Sequence, residues 1–217
     1  LVLGIGGSSL GPRAISDFAE ATGHALTRRL HYIDNADPTT LHRVLGGPSA
    51  AQTLVVTTSK SGTTVETMAA FLVVWDWLDR ELGAETRAEH VVFITDPVNG
   101  FLRKLSEEAG VRTLPVPANV GGRFSVLTPV GLLPVMLAGL DVPALMKGAR
   151  KAMEQSDVPN AESNQALLGA GLHYLMDQHC GANQTILMPY ADSLRTLGDW
   201  FVQLWGESLG KPTPNGP

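Results

Sequence analysis

Short apolar runs alternate along the chain with longer segments in which apolar residues recur at helical spacing. The apolar runs predict buried strands at residues 1–5, 30–33, 54–58, 90–95 and 111–116. The clearest helical pattern follows the third run, with apolar residues at Met68, Phe71, Leu72, Trp75, Leu78 and Leu82. Strands that alternate with helices in this way form parallel sheets that are covered on both faces. We therefore predict an α/β fold with a doubly wound parallel sheet.

A polar, proline-containing stretch at residues 156–163 is the best internal boundary in the chain. It separates a first domain, residues 1–158, from the incomplete beginning of a second α/β unit, residues 159–217. In this second part, residues 185–188 predict a strand and residues 192–209 predict a helix.

Composition narrows the class of protein. The chain has 217 residues, 44% of them hydrophobic, and a net charge of −5, values typical of a folded protein with a sizeable core. The acidic balance argues against nucleic acid or an anionic membrane surface as the main partner. No apolar run is long enough to cross a membrane, and the single cysteine, Cys180, excludes an internal disulfide. These features favour a cytoplasmic location.

Because the chain opens on Leu1 and closes in a proline-rich stretch, we expect it to be a piece of a longer protein.

Hydroxyl side chains crowd the point where the third predicted strand gives way to a helix. The segment contains Ser59, Lys60, Ser61, Gly62, Thr63 and Thr64. Free backbone N–H groups, hydroxyl donors and the positive end of a helix dipole together suit a phosphate group. The alternative is an ordinary N-cap, which needs only one of these hydroxyls.

A glycine-rich loop after the first predicted strand is a second candidate for binding an anion. Its glycines suggest a dinucleotide-binding fingerprint, but Ser9 stands where the third glycine belongs, and no Gly-Lys-Ser/Thr sequence follows as in a P-loop. We therefore expect no nicotinamide or flavin cofactor. Ligands of parallel sheets lie beyond the carboxyl ends of the strands, where Gly7 and Ser8 fall together with the Ser59 segment. The two loops can therefore meet over one ligand.

Two further positions suggest chemistry. Gly121 and Gly122 predict a tight turn that presents the guanidinium of Arg123, although a solvated surface charge explains that arginine equally well. Gln203 and Glu207 lie four residues apart, on one face of a predicted helix and close to its apolar side. A partly desolvated carboxylate has a raised pKa and suits proton abstraction next to a carbonyl group. The alternative is an ordinary glutamate in the last turn of a helix.

Four motifs in this order resemble the glucose-6-phosphate isomerase family in its bacterial form. They are Gly4-Ile5-Gly6-Gly7-Ser8-Ser9-Leu10-Gly11-Pro12, Ser59-Lys60-Ser61-Gly62-Thr63-Thr64-Val65-Glu66-Thr67, Val120-Gly121-Gly122-Arg123-Phe124-Ser125 and Gln203-x-x-x-Glu207-Ser208-x-Gly210-Lys211. The resemblance runs the whole length of the chain. It implies that the first domain is a sugar-isomerase domain and that the second begins after it.

The resemblance also implies roles for individual residues. The substrate-binding residues would be Gly7, Ser8, Ser59, Lys60, Ser61, Thr64 and Gly122, with the hydroxyls holding the sugar phosphate. Arg123 would stabilise an enediolate, and Glu207 would carry a proton between C1 and C2 with Gln203 beside it. The implied reaction interconverts glucose 6-phosphate and fructose 6-phosphate through a cis-enediol, in glycolysis and gluconeogenesis. We expect no cofactor, no metal, and a homodimer in the full-length enzyme.

The chain departs from the family pattern at its end. A histidine beyond the glutamate and a lysine near the far C-terminus assist the family reaction, and neither segment is present; all six histidines precede Glu207. We therefore expect a truncated isomerase with little activity of its own. Two alternatives stay open: a non-catalytic phosphosugar-binding sensor module, and an isomerase that also accepts mannose 6-phosphate.

Overall fold

A five-stranded parallel sheet organises the first part of the chain in the computed structural model, which describes residues 1–210. The strands follow the spatial order β2-β1-β3-β4-β5. Their bounds are β1, Val2–Leu3; β2, Tyr32–Ile33; β3, Val55–Ser59; β4, Val91–Thr95; and β5, Arg112–Pro115. All of them coincide with predicted strands, and the predicted α/β fold is confirmed. β1 and β2 are shorter than predicted, although backbone hydrogen bonds from Val2 to His31 and from Gly4 to Ile33 extend their pairing.

Helices connect the strands and continue beyond the sheet. They are α1, Leu10–Ala21; α2, Pro38–Leu45; α3, Val65–Leu82; α4, Phe101–Ala109; α5, Pro129–Leu137; α6, Val142–Ser156; α7, Gln165–Cys180; and α8, Arg195–Leu209. Local signals explain several starts: Asp37, Thr128 and Asp141 accept hydrogen bonds from the first turns of α2, α5 and α6, each followed by a proline in the first turn. None of the helices in residues 1–210 has the length and apolar composition needed to cross a membrane.

The central strands bury side chains on both faces of the sheet. Val55 and Phe93 point into a core that α2, α3 and α4 complete, whereas the next residues, Val56 and Ile94, point into a core completed by α5. Because successive side chains of a strand alternate between faces, one continuous apolar run supplies both cores. This is the doubly wound arrangement that the sequence predicts.

The strand order defines where a ligand site can form. From β1 the chain moves outward to β2, then returns across β1 to β3. The chain therefore continues from β1 toward one edge of the sheet and from β3 toward the other edge. The crevice beyond the carboxyl ends of these two neighbouring strands is the switch point at which such sheets bind ligands. The Gly7 loop and the Ser59 loop flank this point.

Contacts divide the chain differently from the predicted domains. Within the described residues, one compact unit combines residues 1–140 with residues 189–210, and the second spans Asp141–Met188. Helix α8 therefore belongs to the first unit, where it packs against α1. The domain boundary after residue 158 stays a prediction.

The predicted strand at residues 185–188 is wrong: these residues have no regular structure, and the side chains of Ile186 and Met188 are 77% and 62% exposed. A strand needs a neighbour to satisfy its N–H and C=O groups. No strand within residues 1–210 pairs with this segment.

Replacing Phe71 tests the larger core. Its ring is fully buried and contacts Trp75 and Phe93 at centroid distances of 5.4 and 5.3 Å. We expect Phe71→Ala to lower the free energy of unfolding by about 3–5 kcal/mol in denaturant titrations. The neighbouring Leu72, which is 56% exposed, provides the matched control, and Leu72→Ala should change stability by about 0.5 kcal/mol or less. Equal losses in both variants would contradict the assigned core.

Candidate active site

The hydroxyl loop connects the end of β3 to the start of α3. The Ser59 and Thr64 hydroxyls lie 3.0 Å apart, and the Ser61 hydroxyl accepts a hydrogen bond from the backbone of Thr63 at 3.2 Å. Thr64 is the N-cap residue of α3, yet its side chain accepts no hydrogen bond from the helix. The hydroxyls are therefore not used for capping, which argues against the interpretation of this segment as a simple N-cap.

A cavity of about 500 Å³ lies beside this loop. Its lining residues are Ile5, Ser8, Thr58, Ser59, Lys60, Ser61, Thr64, Thr67, Asp96, Asn99 and Gly122. Six of the seven predicted substrate-binding residues are among them, and Gly7 is the exception. The structure therefore brings the loops after β1 and β3 to one cavity at the switch point, and the substrate-binding roles stay predictions.

The cavity includes two hydroxyls that sequence reasoning missed. Thr58 Oγ1 and Thr67 Oγ1 are buried and have no hydrogen-bond partner among the described residues. Buried polar groups normally have partners, so these two hydroxyls are exceptions next to the cavity. Thr67 lies one helical turn after Thr64, and this i, i+3 spacing is a sequence signal that could have identified it.

Asp96 and Asn99 also line the cavity, and neither was predicted to do so. Both follow the carboxyl end of β4, so the same rule that selected the Ser59 loop could have identified them. The Asp96 carboxylate accepts hydrogen bonds from the backbone of Asn99 and Val98 at 2.9 and 2.8 Å. The hydrogen bond from Asn99, and after it the one from Val98, are the main causes that lower the pKa of Asp96. Its negative charge is therefore directed toward backbone amides.

Lys60 connects the hydroxyl loop to the segment before Arg123. Its ammonium group donates to the carbonyl oxygens of Ala118 and Val120, both at 2.9 Å. Two of its three N–H donors are thus engaged, and one is left for a ligand. Lys60 holds the two segments together while it lines the cavity.

Gly7 packs directly against the turn that carries Arg123. A Cβ atom on Gly7 would lie 2.2 Å from the Gly122 carbonyl oxygen and 2.7 Å from the Arg123 nitrogen. The Ser125 hydroxyl donates to the same Gly122 oxygen at 2.6 Å. Only glycine permits this approach, which explains the Gly6-Gly7 pair better than a dinucleotide fingerprint does.

Arg123, Glu207 and Gln203 form one hydrogen-bonded cluster. Arg123 Nη1 donates to Glu207 Oε2 at 3.3 Å, and Gln203 Nε2 donates to Glu207 Oε1 at 2.9 Å. The Arg123 side chain is 22% exposed and lies 4.5 Å from the centre of the Phe124 ring. The structure therefore excludes a solvated surface charge at position 123. These three residues do not line the 500 Å³ cavity.

The environment of the cluster differs from the prediction in two respects. The Glu207 side chain is 51% exposed, so it lacks the desolvation that we expected from its place beside an apolar stripe. Ser208, for which no role was predicted, accepts a hydrogen bond from Arg123 Nε at 3.0 Å. Lys211, the last residue of the fourth motif, lies outside the described residues.

The Gly6–Ser8 turn joins the cluster to the cavity. Gly6 has a φ of +57°, and a Cβ atom there would lie 2.7 Å from Gln203 Nε2. Ser8 of the same turn lines the cavity.

The described residues contain no group of three or more His, Cys, Asp or Glu side chains that could hold a metal ion.

The sheet order, the switch point and the hydroxyl loop define a doubly wound α/β protein with a hydroxyl-lined cavity at the carboxyl ends of its strands. The family model of phosphoglucose isomerase matches residues 1–215. The chain belongs to this family, and the resemblance drawn from its four motifs is confirmed.

Individual relatives agree with this assignment. The chain is 47% identical over 99% of its length to a glucose-6-phosphate isomerase of Rubrobacter xylanophilus, of which it covers 51%. Among solved structures, it is similar to a hypothetical protein from Thermus thermophilus, with a TM-score of 0.87 and 41% identity over 99% of this chain and 50% of that one. A glucose-6-phosphate isomerase from Chlamydia trachomatis gives a TM-score of 0.86 at 28% identity, over 97% of this chain and 40% of that one. The chain spans about half the length of the curated relatives it matches.

A matched pair of glycine substitutions tests the contact between the two loops. Gly7→Ala places a methyl group against the Gly122 carbonyl, whereas a Cβ atom on Gly122 would meet nothing within 4 Å. We expect Gly7→Ala to lower the free energy of unfolding by about 1–3 kcal/mol, as overpacking does, and Gly122→Ala to change it much less. Thermal or denaturant unfolding measures both. A Gly7→Ala protein as stable as the wild type would show that the loops do not pack in this way.

Proposed function

We propose that this chain supplies the phosphosugar site and the proton-transfer residues of an aldose-ketose isomerase that interconverts glucose 6-phosphate and fructose 6-phosphate. The observation that carries the proposal is the cluster of Arg123, Glu207 and Gln203 beside the Gly6–Ser8 turn, next to the hydroxyl cavity. The names of the relatives support the same reaction.

Phosphate binding would use the cavity at the switch point. The hydroxyls of Ser59, Ser61 and Thr64, the free N–H groups at the start of α3 and the remaining donor of Lys60 converge there. The negative charge of Asp96 would repel a phosphate in the cavity. The hydrogen bonds that the Asp96 carboxylate accepts from two backbone amides limit this repulsion.

Proton transfer would use Glu207. Its carboxylate removes the proton from C2 of the open-chain aldose, the C–H electron pair forms the C1–C2 double bond, and the carbonyl electrons move onto O1. The acid then returns the proton to C1 while the hydroxyl proton passes from O2 to O1, which yields the ketose. Gln203 orients the carboxylate through its hydrogen bond to Oε1.

Arg123 would stabilise the negative oxygen of the enediolate. A guanidinium has five N–H donors, and among residues 1–210 Ser208 and Glu207 engage only the Nε and Nη1 groups of Arg123. The remaining donors can bind the developing oxyanion, and stabilisation of such charge is commonly a large contribution to catalysis. A phosphosugar sensor needs no base paired with an arginine, so this cluster favours the isomerase over that alternative. The homodimer and the cytoplasmic location stay predictions.

Replacing Glu207 tests the proton transfer. In the full-length protein, Glu207→Gln keeps the shape and hydrogen bonding of the side chain but removes the proton acceptor. We expect turnover to fall by ~10²–10⁴-fold, with a parallel loss of exchange between the substrate C2 hydrogen and solvent, while sugar-phosphate binding survives. Asp199→Asn, an exposed position on the same helix, is the control and should keep normal turnover. Retained C2 exchange in Glu207→Gln would remove Glu207 from the mechanism.

Replacing two hydroxyls tests the phosphate site independently. Ser59→Ala combined with Thr64→Ala removes two donors, each worth about 1.5–3 kcal/mol when the partner is charged. Calorimetry should show sugar-phosphate affinity reduced by tenfold or more per hydroxyl. Thr86→Ala is the control, because Thr86 is exposed and does not line the cavity. Unchanged affinity in the double variant would contradict the phosphate site.

A further inference from the structure

Ser208 lies next to the proposed base but takes no part in the proton transfer itself. It follows Glu207 in α8, and its hydroxyl accepts a hydrogen bond from Arg123 Nε at 3.0 Å. Within residues 1–210, Arg123 is the only hydrogen-bond partner of this side chain, and Ser208 does not line the 500 Å³ cavity. Its contact with the candidate active site is therefore the arginine and not the phosphate site.

The backbone at Arg123 is fixed, but its side chain needs restraints of its own. The turn at Gly7 packs against the Gly122 carbonyl and the Arg123 nitrogen, which determines where the side chain begins. The guanidinium then lies at the end of a long, flexible stem, and ordering such a stem costs conformational entropy. Contacts at the guanidinium itself must therefore set its orientation.

Three contacts restrain the guanidinium. The Phe124 ring packs against it, with 4.5 Å between Arg123 Cζ and the ring centre. Ser208 binds Nε at 3.0 Å, whereas Glu207 binds Nη1 at 3.3 Å. Hydrogen bonds from N–H to oxygen are usually about 2.7–3.2 Å long, so the bond to the neutral serine is well formed and the bond to the charged glutamate is longer than usual. Ser208 therefore supplies the closer polar contact.

The neutral hydroxyl suits an arginine that has to stabilise an anion. It accepts the Nε hydrogen without cancelling the charge of the guanidinium, whereas a carboxylate in its place would compete with the enediolate oxygen for that charge. In the proposed reaction Glu207 becomes protonated when it takes the proton from C2, and its attraction for Arg123 then weakens. Ser208 keeps the same charge throughout, so its hold on Nε persists at the step where the oxyanion forms.

We propose that Ser208 is a positioning residue for Arg123. By holding Nε, it directs the remaining guanidinium donors toward the enediolate oxygen while Glu207 carries the proton. The proposal rests on the proposed isomerase function and adds to it the group that orients the arginine.

Steady-state kinetics of the full-length protein test the proposal, with fructose 6-phosphate as the substrate. We expect Ser208→Ala to lower kcat by about tenfold or more, the loss that follows from one missing hydrogen bond to a charged group, with little change in KM. Ser208→Thr keeps the hydroxyl at a partly buried position and should retain most of the wild-type kcat. A loss of kcat in Ser208→Thr as large as that in Ser208→Ala, or a change in KM alone, would overturn the proposal.

A double-mutant cycle separates an action through Arg123 from a general effect on the fold. Arg123→Met removes the guanidinium but keeps an unbranched side chain, and Ser208→Ala added to it should lower kcat no further. A further loss of about tenfold, equal to that in the wild-type background, would overturn the proposal. Normal turnover in Arg123→Met would overturn the proposed function together with this proposal, whereas a large loss in Arg123→Met with normal turnover in Ser208→Ala would overturn this proposal alone.

Discussion

The contact between Gly7 and Gly122 is the constraint on which the candidate site depends. Because Gly7 carries no side chain, the turn after β1 reaches the carbonyl group of Gly122 and the amide of Arg123. Ser125 donates to the Gly122 carbonyl, and Lys60 donates to the carbonyls of Ala118 and Val120 shortly before it. The position of the Arg123 guanidinium therefore follows from backbone packing between loops and not from side-chain contacts alone.

Most of the sheet could be predicted from the sequence because its signal is local. Apolar β-branched runs such as that of β3 are buried on both faces, and the helices between them carry a clear apolar stripe. The segment at residues 185–188 shows the limit of this reasoning, since its apolar residues match a strand but no neighbouring strand in the described chain pairs with it. The pairing of strands is not encoded in the propensity of one segment.

The site was predictable in part for a related reason. Ser59, Ser61 and Thr64 could be selected because they follow a buried strand, and a parallel sheet places such loops at one edge. The use of Lys60 as a tether could not be predicted, since its acceptors are carbonyl groups some sixty residues away. The exposure of the Glu207 side chain could not be predicted either, because it depends on how α8 packs and not on the spacing of residues within that helix.

Helix α1 links the two halves of the proposed chemistry. It begins directly after the Gly6–Ser8 turn and packs against α8, with a Cβ atom on Gly11 lying only 3.5 Å from the Trp200 ring. The same segment thus places Ser8 at the hydroxyl-lined cavity and packs against the helix that carries Glu207. In the proposed mechanism, a base must lie within fractions of an ångström of its required position relative to the reacting carbon. The packing between α1 and α8 would then determine how a substrate anchored by its phosphate meets the carboxylate of Glu207.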